Sequence, residues 1–167
     1  GVHLSGAAGE LAGLQELASL PVATTNMGKG AVDETHELSL GVLANALGTN
    51  SPARYTVELL ERADVVLLIG TRTNQNGTDS WKLYPRGALR LVGDARLGLK
   101  ALAKALEQLD LGKRREARQA LVKSIADSKS KGRREAEIVT ASSQTPLRPE
   151  FLMAELDKVL RPDDIVA

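Results

Sequence analysis

Apolar residues recur at helical spacing near the start of the chain and then give way to short aliphatic runs. Over residues 7–20 the spacing predicts a helix, because side chains three and four positions apart share one helix face. Its apolar residues are Leu11, Leu14, Leu17 and Ala18. Pro21 ends this helix, and residues 21–25 are predicted to form a short buried strand.

The clearest strand prediction falls on residues 64–70, a continuous aliphatic run. A run without polar alternation is typical of a parallel strand that is covered on both faces. We therefore expect Val65 to Ile69 to form a central strand with almost no exposed side-chain area. The other predicted elements are helices at 41–47, 53–62, 95–109, 113–128 and 150–160 and a strand at 89–93, with Ser51 and Asp94 as helix N-caps.

Helices that alternate with aliphatic strands favour the α/β class, here a Rossmann-like parallel sheet with helices on both faces. Ligands bind such sheets at the carboxyl ends of the strands, beside glycine-rich turns. Two loops fit that position, residues 25–30 and residues 70–79. These loops are the first places to look for a binding site.

Composition narrows the function classes. The chain has 167 residues, no cysteine, 2% aromatic residues and a net charge of +1. Its length fits one domain with a tail, and its even charge gives no field that would attract nucleic acid or an anionic membrane. It has no apolar run near the roughly 20 residues of a membrane span, and no signal peptide is recognised. We expect a cytoplasmic protein that binds neither nucleic acid nor membrane.

The loop after the aliphatic strand is the strongest ligand candidate. Gly70 would let the backbone approach a ligand, and Arg72 could clamp a phosphate through paired N–H donors, with Thr71 between them. The alternative is a surface loop with a solvated arginine. Residues 25–30 could offer backbone N–H groups to an anion or a ring, although they lack the Walker spacing.

Other chemistries find less support. His3 and His36 have no partner histidine or carboxylate cluster in a metal-binding pattern. Ser5, Ser39 and Ser51 lack a nucleophile-elbow context. The basic stretch 113–134 is interrupted by acidic residues and carries no aromatic residue for base stacking, which favours a solvated helix face over a nucleic-acid surface.

Six motifs occur in order along the chain. They are Ser5-Gly6-Ala7 running into Glu10-Leu11, the stretch 21–30 (PVATTNMGKG), the stretch 36–43 (HELSLGVL), the stretch 63–72 (ADVVLLIGTR), Val92-Gly93-Asp94-Ala95, and Pro146-Leu147-Arg148-Pro149. As a set they resemble the middle domain of thiamine-diphosphate-dependent enzymes of the acetolactate synthase and pyruvate oxidase group. Glu37 stands where that family usually has proline.

The resemblance implies that residues 1–139 form the central domain, lacking its first strand, and that residues 140–167 form a linker and the start of a following domain. Partners would be the other domains of the same enzyme, in a homo-oligomer. Those domains would hold thiamine diphosphate and magnesium, because this sequence has neither the catalytic glutamate domain nor the Gly-Asp-Gly motif. The alternative is a free-standing nucleotide-binding or interaction module without catalytic activity.

A nucleotide pocket for FAD or ADP is also implied by the resemblance. The residues expected to line it are Thr25, Asn26, Met27, Gly28, Gly70, Thr71, Arg72 and Asp94. The family's Ile-Asp-x-Asp strand is missing between Ala88 and Leu89, either because the chain is natively shorter or because residues are absent from this sequence. Residues 73–77 also replace a Phe-Asp-Asp pattern of flavin-binding members. We therefore expect the pocket of this chain to be empty.

Overall fold

A computed structural model describes residues 1–43, 51, 53–71, 88–90, 93–161 and 163–165. The helices are α1 (Ala8–Leu17), α2 (Arg54–Glu61), α3 (Ala95–Leu106), α4 (Gly112–Thr140) and α5 (Pro149–Asp157). The strands are β1 (Val22–Thr24), β2 (Ser39–Val42), β3 (Val66–Leu68) and β4 (Ala88–Arg90). Within these ranges, no helix combines the length and the apolar character that a membrane crossing requires.

Helix α1 stops before Pro21 because its end is closed by a Schellman motif. Ser19 adopts a left-handed conformation with φ of +48°. Its N–H donates to the Glu16 carbonyl, and the Leu20 N–H donates to the Gln15 carbonyl, as this motif requires. Leu20 then packs against the core next to Val22, so the turn directs the chain from α1 into β1.

The strands of the described residues form two parallel pairs. β1 pairs with β2, with an irregularity between Val22 and Ala23, and β3 pairs with β4. The described residues combine helices with parallel strand pairs, which confirms the α/β class. The single Rossmann-like sheet with helices on both faces is not confirmed and stays a prediction.

Two apolar clusters hold these elements together. In the first, Leu11 and Leu14 of α1 pack with Leu99 of α3, and Val22 of β1 and Leu67 of β3 lie against them. The first cluster therefore borders both strand pairs.

The second cluster joins β2 to α2 and α4. It contains Leu38, Leu40, Leu43 and Ile125, with Val57, Leu60 and Leu121 against it. Val57 and Leu60 of α2, and Leu121 and Ile125 of α4, face this cluster at helical spacing. Ala117, one turn before Leu121 on α4, is exposed.

The helix predicted at 41–47 is wrong at its first two residues, which belong to β2; residues 44–47 lie outside the described part. Gly41 has φ of +75°, a conformation that a right-handed helix does not contain. Leu38 and Leu40 are buried and β2 pairs with β1, so tertiary packing selects a strand here.

The near-complete burial expected for Val65 to Ile69 is also wrong. Val65 is 60% exposed, only Leu68 is fully buried, and Val66, Leu67 and Ile69 are half-buried. β3 has one strand partner among the described residues, and the first cluster covers the face that carries Leu67 and Ile69. The aliphatic run therefore forms a strand without the burial of a fully enclosed one.

Helix α4 is longer than the sequence predicts. It continues from Gly112 to Thr140 through residues 129–132, where helical spacing of apolar residues fades. Arg133, Glu135 and Ala136 favour helix by their intrinsic propensity, so the helix persists without an apolar stripe.

Candidate functional site

The first six residues form a tight turn that lies between the two predicted binding loops. The Gly1 carbonyl accepts hydrogen bonds from the Ser5 N–H at 3.0 Å and from the Ser5 hydroxyl at 2.9 Å. Nε2 of His3 lies 2.9 Å from the Lys29 carbonyl oxygen and so connects this turn to the loop 25–30. The other side of the turn contacts Gly70.

Gly70 approaches the turn so closely that only glycine fits. A Cβ at this position would lie 2.7 Å from the Gly1 Cα and 2.9 Å from the Val2 nitrogen. Its φ of +59° is also a left-handed value that other residues adopt at a cost. The loop at the end of β3 and the N-terminal turn therefore share one edge of the molecule.

The loop 25–30 contains one turn of 3₁₀ helix at Asn26–Gly28. The Gly28 N–H donates to the Thr25 carbonyl at 2.8 Å, so this donor is not directed toward a ligand. Met27 is 91% exposed and gives the loop an apolar surface. The loop therefore exposes the side chains of Asn26 and Met27, and the Gly28 N–H is not available as one of the backbone donors that its sequence suggested.

A cavity of about 270 Å³ lies between the end of β3 and the start of α3. It brings together Gly70 and Asp94, two of the predicted site residues, but Thr25 to Gly28 do not line it. Its lining residues are Ile69, Gly70, Gly93, Asp94, Ala95, Leu97, Gly98 and Leu99. Arg72 lies outside the described residues, and Thr71 is described but is not among the lining residues.

Among the described residues that line the cavity, Asp94 is the charged one. It is the N-cap of α3, as predicted, and its Oδ1 accepts a hydrogen bond from the Leu97 N–H at 3.0 Å. A carboxylate accepts hydrogen bonds from hydroxyl groups and repels phosphate. The charge of the described lining therefore suits the ribose of a nucleotide better than its phosphates.

Arg96, the arginine of α3, is engaged by α1. Nε of Arg96 lies 2.7 Å from Oε1 of Glu10 on α1, and this hydrogen bond holds the pKa of Glu10 below its usual value. Lys100 lies 3.6 Å from the same oxygen. A phosphate at this edge would need a cation from another segment, which is the role that the sequence suggested for Arg72.

Sequence reasoning missed the part that the N-terminal turn plays. The contact between Gly1 and Gly70 joins residues far apart in the chain, and no local pattern predicts such a pair. The available sequence signal for this turn was the pair of glycines Gly1 and Gly6. Gly6, like Gly70, has a positive φ of +59°. Among the described residues, no group of three potential metal ligands is found.

Comparison with known proteins gives a consistent result. The family model for the central domain of thiamine pyrophosphate enzymes matches residues 1–128. The probable acetolactate synthase large subunit of Methanococcus aeolicus is 35% identical over 128 residues, which covers 65% of this chain and 20% of that protein. The acetolactate synthase of Arthrospira platensis is 40% identical over 72 residues, or 43% of this chain and 12% of that protein.

A third relative extends over almost the whole chain. The glyoxylate carboligase of Escherichia coli O157:H7 is 26% identical over 182 residues, covering 98% of this chain and 29% of that protein. Because the aligned length exceeds the 167 residues of this chain, the relative contains residues within the matched region that this chain lacks. The chain spans about a fifth of the length of the Methanococcus aeolicus protein, and the same share of a probable acetolactate synthase large subunit of Methanocaldococcus jannaschii. The match across residues 1–128 shows that the chain belongs to the family of thiamine pyrophosphate enzyme central domains.

Proposed function

We propose that this chain is the central domain of a larger thiamine-diphosphate-dependent carboligase or decarboxylase that resembles the acetolactate synthase large subunit. The observation that carries the proposal is the family match over residues 1–128, together with relatives several times longer than this chain. In such an enzyme the bound cofactor supplies the carbanion chemistry by which a 2-oxo acid is decarboxylated and joined to a second carbonyl.

The residues of this chain do not fit the cofactor's diphosphate and its magnesium ion. The sequence has no Gly-Asp-Gly motif; its Gly93-Asp94 continues into Ala95 and caps a helix. No three metal-ligating side chains come together in the described ranges. We therefore assign no catalytic step to this chain, and propose that it serves as a scaffold and as one wall of a nucleotide pocket.

The coding sequence on both sides of this region provides the simplest test. A Gly-Asp-Gly motif downstream and a glutamate-bearing domain upstream are expected, and calorimetry should then detect thiamine diphosphate binding to the intact protein in the presence of magnesium. An intact protein without either motif and without cofactor binding would contradict the proposal and would favour a free-standing nucleotide-binding or interaction module.

The proposed nucleotide pocket has two parts. Gly70, Thr71 and Arg72 would contact the phosphate or ribose side of FAD or ADP, and residues 25–28 would lie near the other end. Asp94 would accept hydrogen bonds from ribose hydroxyls, which its place in the cavity beside Gly70 supports. We expect the pocket of this chain to be empty, because the segment missing after Ala88 helps to hold the adenine end of FAD in flavin-binding relatives.

Titration of the 167-residue chain with FAD and with ADP tests this expectation. Calorimetry and flavin fluorescence should show no binding tighter than about 10 μM, or about −7 kcal/mol. Tighter binding would contradict the predicted empty pocket. If binding is found, Asp94→Asn and Arg72→Ala should both weaken it, whereas Lys123→Gln on α4 should not.

We also propose that the C-terminal part of the chain is covered by other domains or by a second subunit. Several large apolar residues there are more than half exposed, namely Ile138, Leu147, Leu152, Met153 and Val159. Light scattering of the intact protein should show a homo-oligomer, and a monomer would contradict this part of the proposal.

A cytoplasmic location, proposed from the sequence, is tested by cell fractionation.

A further inference from the structure

A second cavity, of about 230 Å³, lies between α4 and the loop 33–37 and shares no lining residue with the cavity beside Asp94. Its apolar side consists of Val122, Ile125 and Ala126 on α4. Its polar side consists of Thr35, His36, Glu37, Lys129, Ser130 and Arg133. The cavity is therefore amphipathic, with an aliphatic side and a charged side.

Two cations line this cavity, and among the described residues neither has a carboxylate within ion-pair distance. Lys129 and Arg133 lie one helical turn apart on α4, a spacing at which like charges repel. In the part of the chain that the structure describes, neither forms an ion pair with an acidic side chain. Burial lowers the pKa of Lys129, and the charge of Arg133 lowers it further. An anion bound between them would relieve this repulsion.

The remaining ionisable groups of the cavity are already engaged. His36 contacts Oε1 of Glu16 through Nε2, and its Nδ1 accepts a hydrogen bond from the Leu38 N–H. Oε1 of Glu37 accepts hydrogen bonds from Arg118 at 2.7 and 3.0 Å.

The charge of Glu34 opposes the lowering of the Lys129 pKa, and Oε2 of Glu34 lies 3.8 Å from Nζ of Lys29. The carboxylates of Glu37 and Glu34 disfavour a ligand with two negative charges. A single negative charge matches the cavity best.

We propose that this cavity binds the carboxylate of a short aliphatic acid. The carboxylate would lie between Lys129 and Arg133, within reach of the Ser130 hydroxyl, and the hydrocarbon chain would cover Val122, Ile125 and Ala126. The volume is below that of pockets for drug-sized ligands, which begin near roughly 300 Å³, so the acid would have only a few carbon atoms. This site is separate from the proposed nucleotide pocket and goes beyond the proposed function.

Two-dimensional amide NMR of the 167-residue chain, titrated with butanoate at low ionic strength, tests the proposal. Saturable shifts are expected at Thr35, His36, Lys129 and Ser130. Butanamide has the same shape without the charge and should not produce them, and inorganic phosphate should bind at least about tenfold more weakly because it carries more than one negative charge near neutral pH. Absent shifts, shifts elsewhere, or equal affinity for phosphate or butanamide would overturn the proposal.

The double variant Lys129→Gln, Arg133→Gln should weaken butanoate binding by at least about tenfold, because both charge-assisted contacts are lost. The matched control is Lys123→Gln, Arg134→Gln, which removes the same net charge from α4 at positions that do not line the cavity. The amide spectra of both variants report directly whether each is folded. Equal loss of binding in both double variants would show a nonspecific charge effect and would overturn the site.

Discussion

At the scale of single residues, Gly70 is under two separate constraints, its φ of +59° and its contact with the Gly1 backbone. Gly70→Ala should lower the free energy of unfolding by about 1–3 kcal/mol, because the new Cβ would lie 2.7 Å from the Gly1 Cα and the backbone would be strained. Urea denaturation of the two proteins measures the difference.

Gly13 provides the control for this substitution. It lies in α1, where a methyl group added to its Cα would meet no neighbouring atom within 4 Å, and its φ is not in the left-handed region. Gly13→Ala should therefore raise the free energy of unfolding by about 0.5–1 kcal/mol, since alanine favours helix. If both alanine variants were stabilised to the same extent, the close contact at Gly70 would be contradicted.

Arg118 joins α4 to two carboxylates, Glu16 on α1 and Glu37 in the loop before β2. Its hydrogen bond holds the pKa of Glu16 below the usual value of 4.5, with a smaller contribution from His36. A lowered carboxyl pKa stabilises the folded state above about pH 4.5, and this stabilisation is lost as the pH falls through the lowered pKa.

Arg118→Gln should therefore lower the free energy of unfolding by about 0.5–1 kcal/mol at pH 7, a modest value because both glutamates are about half exposed. The difference from the unsubstituted chain should shrink as the pH falls below about 4.5. Urea denaturation at pH 7 and at pH 3 measures it. Arg115→Gln, on an exposed position of α4 without an ion pair among the described residues, should show neither effect.

At the scale of elements, α4 is fixed by a few buried residues near its middle. Ile125 is 1% exposed among Leu38, Leu40 and Leu43, whereas Ile138 on the same helix is 76% exposed. Ile125→Ala should lower the free energy of unfolding by about 2–5 kcal/mol, since it leaves a cavity in a packed cluster. Ile138→Ala should change it by less than about 0.5 kcal/mol, and comparable losses in thermal or urea denaturation would contradict this packing.

The elements also show what the sequence could predict. α1, α2 and α3 follow from apolar residues at three- and four-residue spacing, and Asp94 was predicted correctly as a cap because its side chain acts locally. β2 was missed because Leu38, Leu40 and Leu43 fit both a strand and a helix, and only the pairing with β1 selects between them. In the site, the glycine at the end of β3 was predictable, but its contact with Gly1 depends on the tertiary fold.

At the scale of the whole molecule, stability should fall toward the C-terminus. α1 contributes Leu11, Leu14 and Gln15 to the buried interior, whereas α5, of nearly equal length, has no fully buried residue. Amides of α5 should therefore exchange with deuterated water at least about tenfold faster than those of α1, because local opening there costs less. Hydrogen-exchange NMR measures both, and equal protection would show that α5 is held more firmly than its burial indicates.

The continuity of α4 has a mechanical consequence. The helix passes position 128, where the family match ends, and continues to Thr140 without a break. Its 29 residues span about 44 Å, and the part beyond Ile125 acts as a lever arm of roughly 22 Å. A tilt of about 5° at Ile125 would move the Thr140 end by about 2 Å, by the same helix geometry. A force applied to α5 would therefore be transmitted along the unbroken helix α4 and would tilt the segment that carries Lys129 and Arg133.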